Sequence, residues 1–231
     1  MKINILLPYK EKFDKDKASS VSITVKNNLY HSKFINNVKI YGQNVENPIF
    51  KDNFIGLKYS IFSFESKNKF LANKMLKMIS LDSEKKQIIE IHNRPYLINQ
   101  IAERSKFPIC LFLHNDPKTM KGSKSIKDRQ NILEKCTYIF CVSHFIKNKF
   151  LEGVEDNSNK IHVLYNGVER QVKKIPRKEK QVLFVGRLVP EKGVDLYVDI
   201  VDEIAHKFPD WKFSLIGSFR LGEDKNTGSF V

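Results

Sequence analysis

The chain has 231 residues, long for one small domain and short for two full α/β domains of ~100–200 residues each. With 41% hydrophobic and 29% charged residues it can build a packed core, and compositional disorder is excluded. The net charge of +14 admits nucleic acid, an anionic membrane surface or phosphorylated substrates as partners, and equally a solvated Lys-rich surface; three unpatterned cysteines, Cys110, Cys136 and Cys141, support neither a disulfide framework nor a zinc knuckle and fit a reducing, cytoplasmic setting.

The opening Ile3–Leu7 run reads as a buried strand. It is too short for a signal segment, and Pro8 ends it. No stretch approaches the ~20 apolar residues that span a bilayer, so any membrane contact is expected to be peripheral. A polar loop leads to a helix over Ser20–Tyr30. Strands are predicted at Val38–Tyr41 and Tyr59–Phe64, a helix at Asn68–Ile79 and a strand at Gln87–Ile91. Pro95 then suits a first helical position, with Leu97, Ile98, Ile101 and Ala102 on one face. Phe107–Leu113 reads as a strand, Ser125–Lys135 as a helix and Tyr138–Val142 as a strand. Ser143 can cap the next helix and Gly153 can end it, before a short strand at Ile161–Leu164.

Strands alternating with helices imply right-handed crossovers and a doubly wound parallel sheet buried on both faces. Ligands of such sheets bind beyond the carboxyl ends of the strands. Residues 1–168 are expected to form this Rossmann-like domain. Residues 169–180 are polar and basic, contain Pro176, and read as a linker. The pattern restarts over 181–231, with a strand at Gln181–Val185, a helix at Lys192–Lys207 and a strand at Trp211–Ile216.

The segment Val182-Leu183-Phe184-Val185-Gly186-Arg187-Leu188-Val189-Pro190-Glu191-Lys192-Gly193 carries the strongest chemical signal. Gly186 lets the backbone approach a ligand. Arg187 supplies a planar donor fork, and Lys192 a mobile charge at a helix start that already favours anions. Together they can clamp a diphosphate; a plain strand–turn–helix with two surface cations is the alternative. Two polar quartets ending in Pro follow strands: His92-Asn93-Arg94-Pro95 and His114-Asn115-Asp116-Pro117. They suit a cleft wall, although Asn and Asp before Pro also make turns with no ligand.

The Gly186–Lys192 segment resembles the opening of the C-terminal domain in retaining glycosyltransferases of family 4, which have the GT-B fold. Val142-Ser143-His144-Phe145-Ile146 and the run Lys160-Ile161-His162-Val163-Leu164-Tyr165-Asn166-Gly167-Val168 are similar to the family's stretch before its inter-domain linker. The resemblance implies a metal-free transferase whose Gly186, Arg187 and Lys192 bind the donor diphosphate. It implies that His114 lies near the transferred sugar as a catalytic group, hydrogen-bonding it or stabilising charge, with His92, Asn93, Arg94, Asn115 and Asp116 lining the acceptor-side cleft. Ser19 and Ser20, expected to line the same cleft, stand where many members carry a Gly-rich turn.

The expected activity is transfer of a sugar, with retention, from a nucleotide-sugar to a glycan or lipid-linked acceptor. The sub-type resembled is bacterial surface-polysaccharide or lipopolysaccharide synthesis. No cofactor beyond the donor substrate is implied. The expected location is cytoplasmic, with peripheral contact to the anionic inner face of the membrane through Lys10, Lys12, Lys15 and Lys17. The family's acidic donor-gripping motif would fall past Val231, so residues 181–231 are expected to be an incomplete donor domain that does not transfer sugar alone. A GT-B sugar-nucleotide epimerase is the alternative. A basic nucleic-acid-binding protein is disfavoured, because no aromatic–basic platform and no zinc spacing is present.

Overall fold

The structure is a computed structural model that describes residues 1–60, 62–170, 172–174 and 177–218. It contains two compact units, residues 1–169 and 170–231. Gln171, Ile175 and Pro176 of the expected linker, and the 219–231 part of the second expected domain, lie outside the described residues.

The first unit is built on seven parallel strands: β1 (Lys2–Leu6), β2 (Val38–Gln43), β3 (Phe54–Leu57), β4 (Gln87–His92), β5 (Ile109–Leu113), β6 (Tyr138–Cys141) and β7 (Ile161–Val163). Their order is β3-β2-β1-β4-β5-β6-β7, so the topology switches direction between β1 and β4. Helix α1 (Ser20–Tyr30) joins β1 to β2 and packs Val21, Val25 and Leu29 on Ile5, Leu7, Val38 and Ile40. The other helices are α2 (Lys67–Ser80), α3 (Ile98–Arg104), α4 (Ile126–Lys135) and α5 (His144–Leu151). They bury the opposite face, where Leu71, Met75, Ile98, Ile101, Ile132 and Phe150 meet Leu6, Ile89, Ile91, Leu111, Leu113 and Ile139. The doubly wound parallel sheet expected from the alternation is present.

The two faces are covered unequally, against the expectation of burial on both. Over β5–β7 the α1 face keeps Cys110, Phe112 and Phe140 only half-buried, with Tyr138 and His162 exposed. Phe112 and Phe140 stack on each other there at 4.7 Å. The reason is topological. Every crossover from β3 onward runs the same way along the sheet, so right-handedness puts α2–α5 on one side.

The strand expected at Tyr59–Phe64 does not form. Strand β3 lies earlier, and the residues after it make a loop, with Ile61 outside the described set. Side chains out-compete the ladder here. Ser60 Oγ accepts from Phe62 N–H at 3.3 Å, Ser63 Oγ accepts from Glu65 N–H at 3.3 Å, and the Tyr59 hydroxyl bridges to Ser63 and Glu65 carbonyls. Phe62 and Phe64 are left 83% and 106% exposed. Gly56 helps to explain why β3 escapes the sequence pattern: a Cβ there would meet Asn44 Oδ1 at 2.7 Å, so a glycine interrupts the apolar run.

Arg129 of α4 is enclosed, 2% exposed, with no carboxylate partner among the described residues. Its guanidinium donates to four carbonyls: Phe150 at 2.8 Å, Ser123 at 3.2 Å, Lys124 at 2.8 Å and Glu152 at 2.6 Å. Two of these close α5, where carbonyl dipoles favour a cation. The other two fix the loop between β5 and α4.

The second unit pairs β8 (Gln181–Val185) in parallel with β9 (Lys212–Ile216) through α6 (Val194–Ile204). Short 3-10 turns, Pro190–Lys192 and Ala205–Lys207, flank the helix, which therefore starts two residues later than expected. Tyr197 anchors it, since its hydroxyl accepts from Ser214 N–H at 3.1 Å.

Candidate functional site

The two Pro-ended quartets meet at the carboxyl edge of β4 and β5. Asn93 joins them. It takes a left-handed backbone conformation (φ 49°), which Asn tolerates better than most residues. Its N–H donates to Phe112 O at 2.9 Å, its Oδ1 accepts from His114 N–H at 2.8 Å, and its Nδ2 donates to Asn115 Oδ1 at 2.9 Å. Arg94 donates back to Asn93 O at 2.6 Å. Asp116 serves the turn: its Oδ1 accepts from Lys118 N–H at 2.8 Å and caps the 3-10 turn Pro117–Thr119.

The histidines are in direct contact. His92 Nδ1 lies 2.8 Å from His114 Nε2, and His92 Nε2 lies 2.7 Å from Glu90 Oε1. His92 is fully buried and His114 half-buried. Burial first, and the electrostatic coupling to His92 second, push the His114 imidazole down to about 3, so it stays neutral at physiological pH.

Ser19 and Ser20 sit at the start of α1, also at the carboxyl side of the sheet. The Ser19 hydroxyl is engaged by the preceding loop, accepting from Lys12 N–H at 3.2 Å. Ser20 is exposed. The helix start is already occupied by an anion from the chain itself: Glu11 Oε2 accepts from Val21 N–H at 3.1 Å. Burial raises the Glu11 carboxyl, while that N–H and the nearby Arg94 oppose the rise.

In the second unit, Gly186 follows β8 and its N–H donates to Ile216 O at 3.0 Å, extending the ladder past the strand. Arg187, next in sequence, pairs with the Glu191 carboxylate. Lys192 ends the 3-10 turn and is exposed, with no hydrogen bond or ion pair from its ammonium among the described residues. Gly193, at φ 77°, turns the chain into α6, whose first N–H groups have no side-chain cap. The geometry is thus a strand end, two cations and an uncapped helix start within eight residues. Among the described residues no three His, Cys, Asp or Glu side chains are grouped to hold a metal ion.

Three residues of these sites were not found by sequence reasoning. Glu90 had a signal, as a charge inside the otherwise apolar Gln87–Ile91 run. Glu11 had none, being one charge among many in a polar loop. Gly217 also had none: a Cβ there would collide with the carbonyl oxygen of Gly186, so β9 can close against the Gly186 turn only with glycine at 217.

Residues 167–228 match the family model described as glycosyl transferases group 1. The chain is 39% identical over 125 residues to an uncharacterized glycosyltransferase of Methanocaldococcus jannaschii, a match covering 52% of this chain and 33% of that protein. It is 27% identical over 156 residues to YtcC of Bacillus subtilis, covering 59% of this chain and 38% of the relative. The chain therefore spans about a third of the length of the curated relatives it matches. Among solved structures, Anabaena HepE in complex with UDP aligns with a TM-score of 0.65 at 15% identity, covering 94% of this chain and 61% of HepE. Its complex with UDP-glucose gives a TM-score of 0.62 at 15% identity, covering 96% of this chain and 62% of that one. The fold is α/β of the GT-B type.

Proposed function

We propose that this chain is part of a retaining glycosyltransferase that moves a sugar from a nucleotide-sugar to a glycan or lipid-linked acceptor, in the synthesis of a bacterial surface polysaccharide or lipopolysaccharide. One observation carries the reading: the Gly186–Gly193 turn, with Arg187, Lys192 and the uncapped start of α6, lies inside the segment that matches group 1 glycosyl transferases. Two cations and free helix N–H groups suit a leaving diphosphate, whose charge they neutralise without a metal. Arg187 would exchange Glu191 for phosphate oxygens. The solved relatives carrying UDP and UDP-glucose support a nucleotide-sugar as donor. The His92–Asn115 cluster supplies a polar, preorganised floor on the acceptor side, with His114 the residue assigned to the transferred sugar.

Peripheral contact with the anionic inner face of the cytoplasmic membrane belongs to the same reading. The exposed Phe62 and Phe64 stand between Lys58 and Lys67, and Lys10, Lys12, Lys15 and Lys17 follow β1. Each basic residue near such a surface contributes ~1 kcal/mol. No helix among the described residues is long and apolar enough to cross a membrane.

The test is transfer of labelled sugar from a panel of nucleotide-sugars, with product anomers assigned by NMR, on the natural protein that carries this chain. Arg187→Ala and Lys192→Ala should each lose roughly 2–4 kcal/mol of transition-state stabilisation with the fold intact. Near-normal kinetics in both would remove the clamp. Inverted anomers would remove the retaining mechanism, and conversion of a nucleotide-sugar without any acceptor would replace transfer by epimerisation.

A further inference from the structure

Glu90, His92 and His114 form an unbroken hydrogen-bonded row on the α1 face of the sheet. Glu90 and His92 lie two residues apart on one strand face. His92 pairs in register with Phe112, two residues before His114. The two histidine rings are 13° from parallel with centroids 5.1 Å apart. With the nitrogens only 2.8 Å apart, this is an edge-to-edge contact in the plane of both rings, the geometry of a hydrogen bond and not of a face-to-face stack. Phe112 covers the flat side of His92 at 4.9 Å. The His92 side chain is 0% exposed and that of Glu90 19%, so solvent does not stand in for either partner of His92.

Such a row has little freedom in where its protons sit. An ionised carboxylate only accepts, and a neutral imidazole has one donor and one acceptor nitrogen. Glu90 thus fixes the His92 proton on Nε2. His92 Nδ1 is then bare and accepts, which fixes the His114 proton on Nε2. His114 Nδ1 is left with a lone pair, and no described hydrogen bond uses it.

We propose that Glu90 is a positioning residue that, acting through His92, holds His114 as the Nε2–H tautomer and so presents Nδ1 as the acceptor for a substrate hydroxyl. The ligand chemistry follows from the lone pair. A sugar hydroxyl can donate to it, whereas a fully ionised phosphate oxygen has no proton to offer. Because the imidazole is held down at about 3, it orients the hydroxyl and does not remove its proton at neutral pH. Identifying that hydroxyl as part of a transferred sugar rests on the transferase reading above; the tautomer does not. The charged or titratable groups facing His92 are Glu90 on its own strand, His114 beyond β5 and Glu11 from the loop before α1, with Arg94 beyond β4 acting on Glu11. A proton added to His92 Nδ1 would reverse the His92–His114 bond and move the His114 proton to Nδ1. The decisive measurement is therefore made in mildly alkaline buffer.

Long-range proton–nitrogen NMR spectra of the uniformly 15N-labelled natural protein that carries this chain read the tautomers directly, with His114→Gln assigning the signals. Both histidines are expected as Nε2–H in the unaltered protein. In Glu90→Gln, whose amide both donates and accepts, His114 is expected to populate the Nδ1–H form, and sugar transfer is expected to fall about tenfold, the loss of one hydrogen bond. A proton on His114 Nδ1 in the unaltered protein overturns the proposal, as does a Glu90→Gln variant with both tautomers unchanged. Expected tautomers in a protein that transfers no sugar support the row and remove the transferase reading. Ordinary transfer with an Nδ1–H His114 does the reverse.

Discussion

Replacing Arg129 by Met is expected to destabilise the first unit severely, although the apolar stem is largely kept. The wild-type guanidinium is 2% exposed and satisfies four carbonyls, those of Ser123, Lys124, Phe150 and Glu152. A hydrogen bond to a charged group contributes ~1.5–3 kcal/mol, but four from one side chain do not add, since some carbonyls find water or other donors once it is gone. Breaking a buried charged arrangement by removing one member costs about 3–5 kcal/mol, and that range is expected here. Against a total of ~5–15 kcal/mol it is a large fraction. Urea unfolding followed by far-ultraviolet circular dichroism reads the effect. With a slope near the upper end of ~1–3 kcal/mol/M, as suits a unit of this size, the midpoint should fall by roughly 1.5 M. Trp211 belongs to the second unit, so its fluorescence separates that unit's response. Arg129→Lys keeps the charge but not the fork, and should recover only part of the loss. A midpoint for Arg129→Met within about 0.3 M of the unaltered protein, against that 1.5 M, would refute the assignment of Arg129 as the clamp of α5 and the β5–α4 loop.

The depressed His114 pKa makes stability depend on acid. Its folded value lies below the unfolded one, so the contribution is present above about pH 6.5 and is lost as pH falls toward about 3. Roughly 3 kcal/mol at most should be gone by about pH 4, and His114→Gln should remove that part of the slope; parallel pH–stability curves for the two proteins would contradict it. Gly217→Ala should weaken the second unit by a few kcal/mol, about 1–3 as for other overpacked sites, because the new methyl meets the Gly186 carbonyl. Unchanged unfolding of the Trp211 signal would count against that geometry. Phe62→Ser with Phe64→Ser should reduce binding to anionic vesicles while leaving the circular dichroism spectrum unaltered, since both rings are exposed; equal retention on neutral and anionic vesicles by either protein would sink the membrane reading.

Much of the fold was legible because its elements are periodic and capped by their own sequence. The helix read as Ser20–Tyr30 has those bounds, and Ser125 and Ser143 cap α4 and α5 through their hydroxyls. Tyr59–Phe64 misled because alternating aromatics and serines resemble a half-buried strand, while the serine hydroxyls in fact bond their own backbone. The quartets His92–Pro95 and His114–Pro117 could be read as neighbours at strand tips. That Asn93 would interlock them, and that Glu90 would reach His92, depends on the β4–β5 register, which periodicity does not encode. The uncovered stretch of sheet was equally hidden, since it follows from the direction of successive crossovers and from no single residue.

The position of β1 also bears on how the polypeptide acquires its structure during synthesis. It is made before the other strands of its sheet, yet it becomes an interior strand, with β2 on one side and β4 on the other. β2 arrives soon, and Ile3 can find Val38 as soon as α1 has emerged. The partner for the other edge is the segment Gln87–Ile91, in register with Lys2–Leu6. At ~5–20 residues per second, it is made roughly 4–17 s after β1. Through that interval a nascent chain holding α1 packed on β1 and β2 carries an open, apolar strand edge, the kind of surface that captures stray strands. Translation speed between β2 and β4 therefore sets how long that edge waits, and a chaperone that holds extended apolar segments would act on this protein mainly in that window.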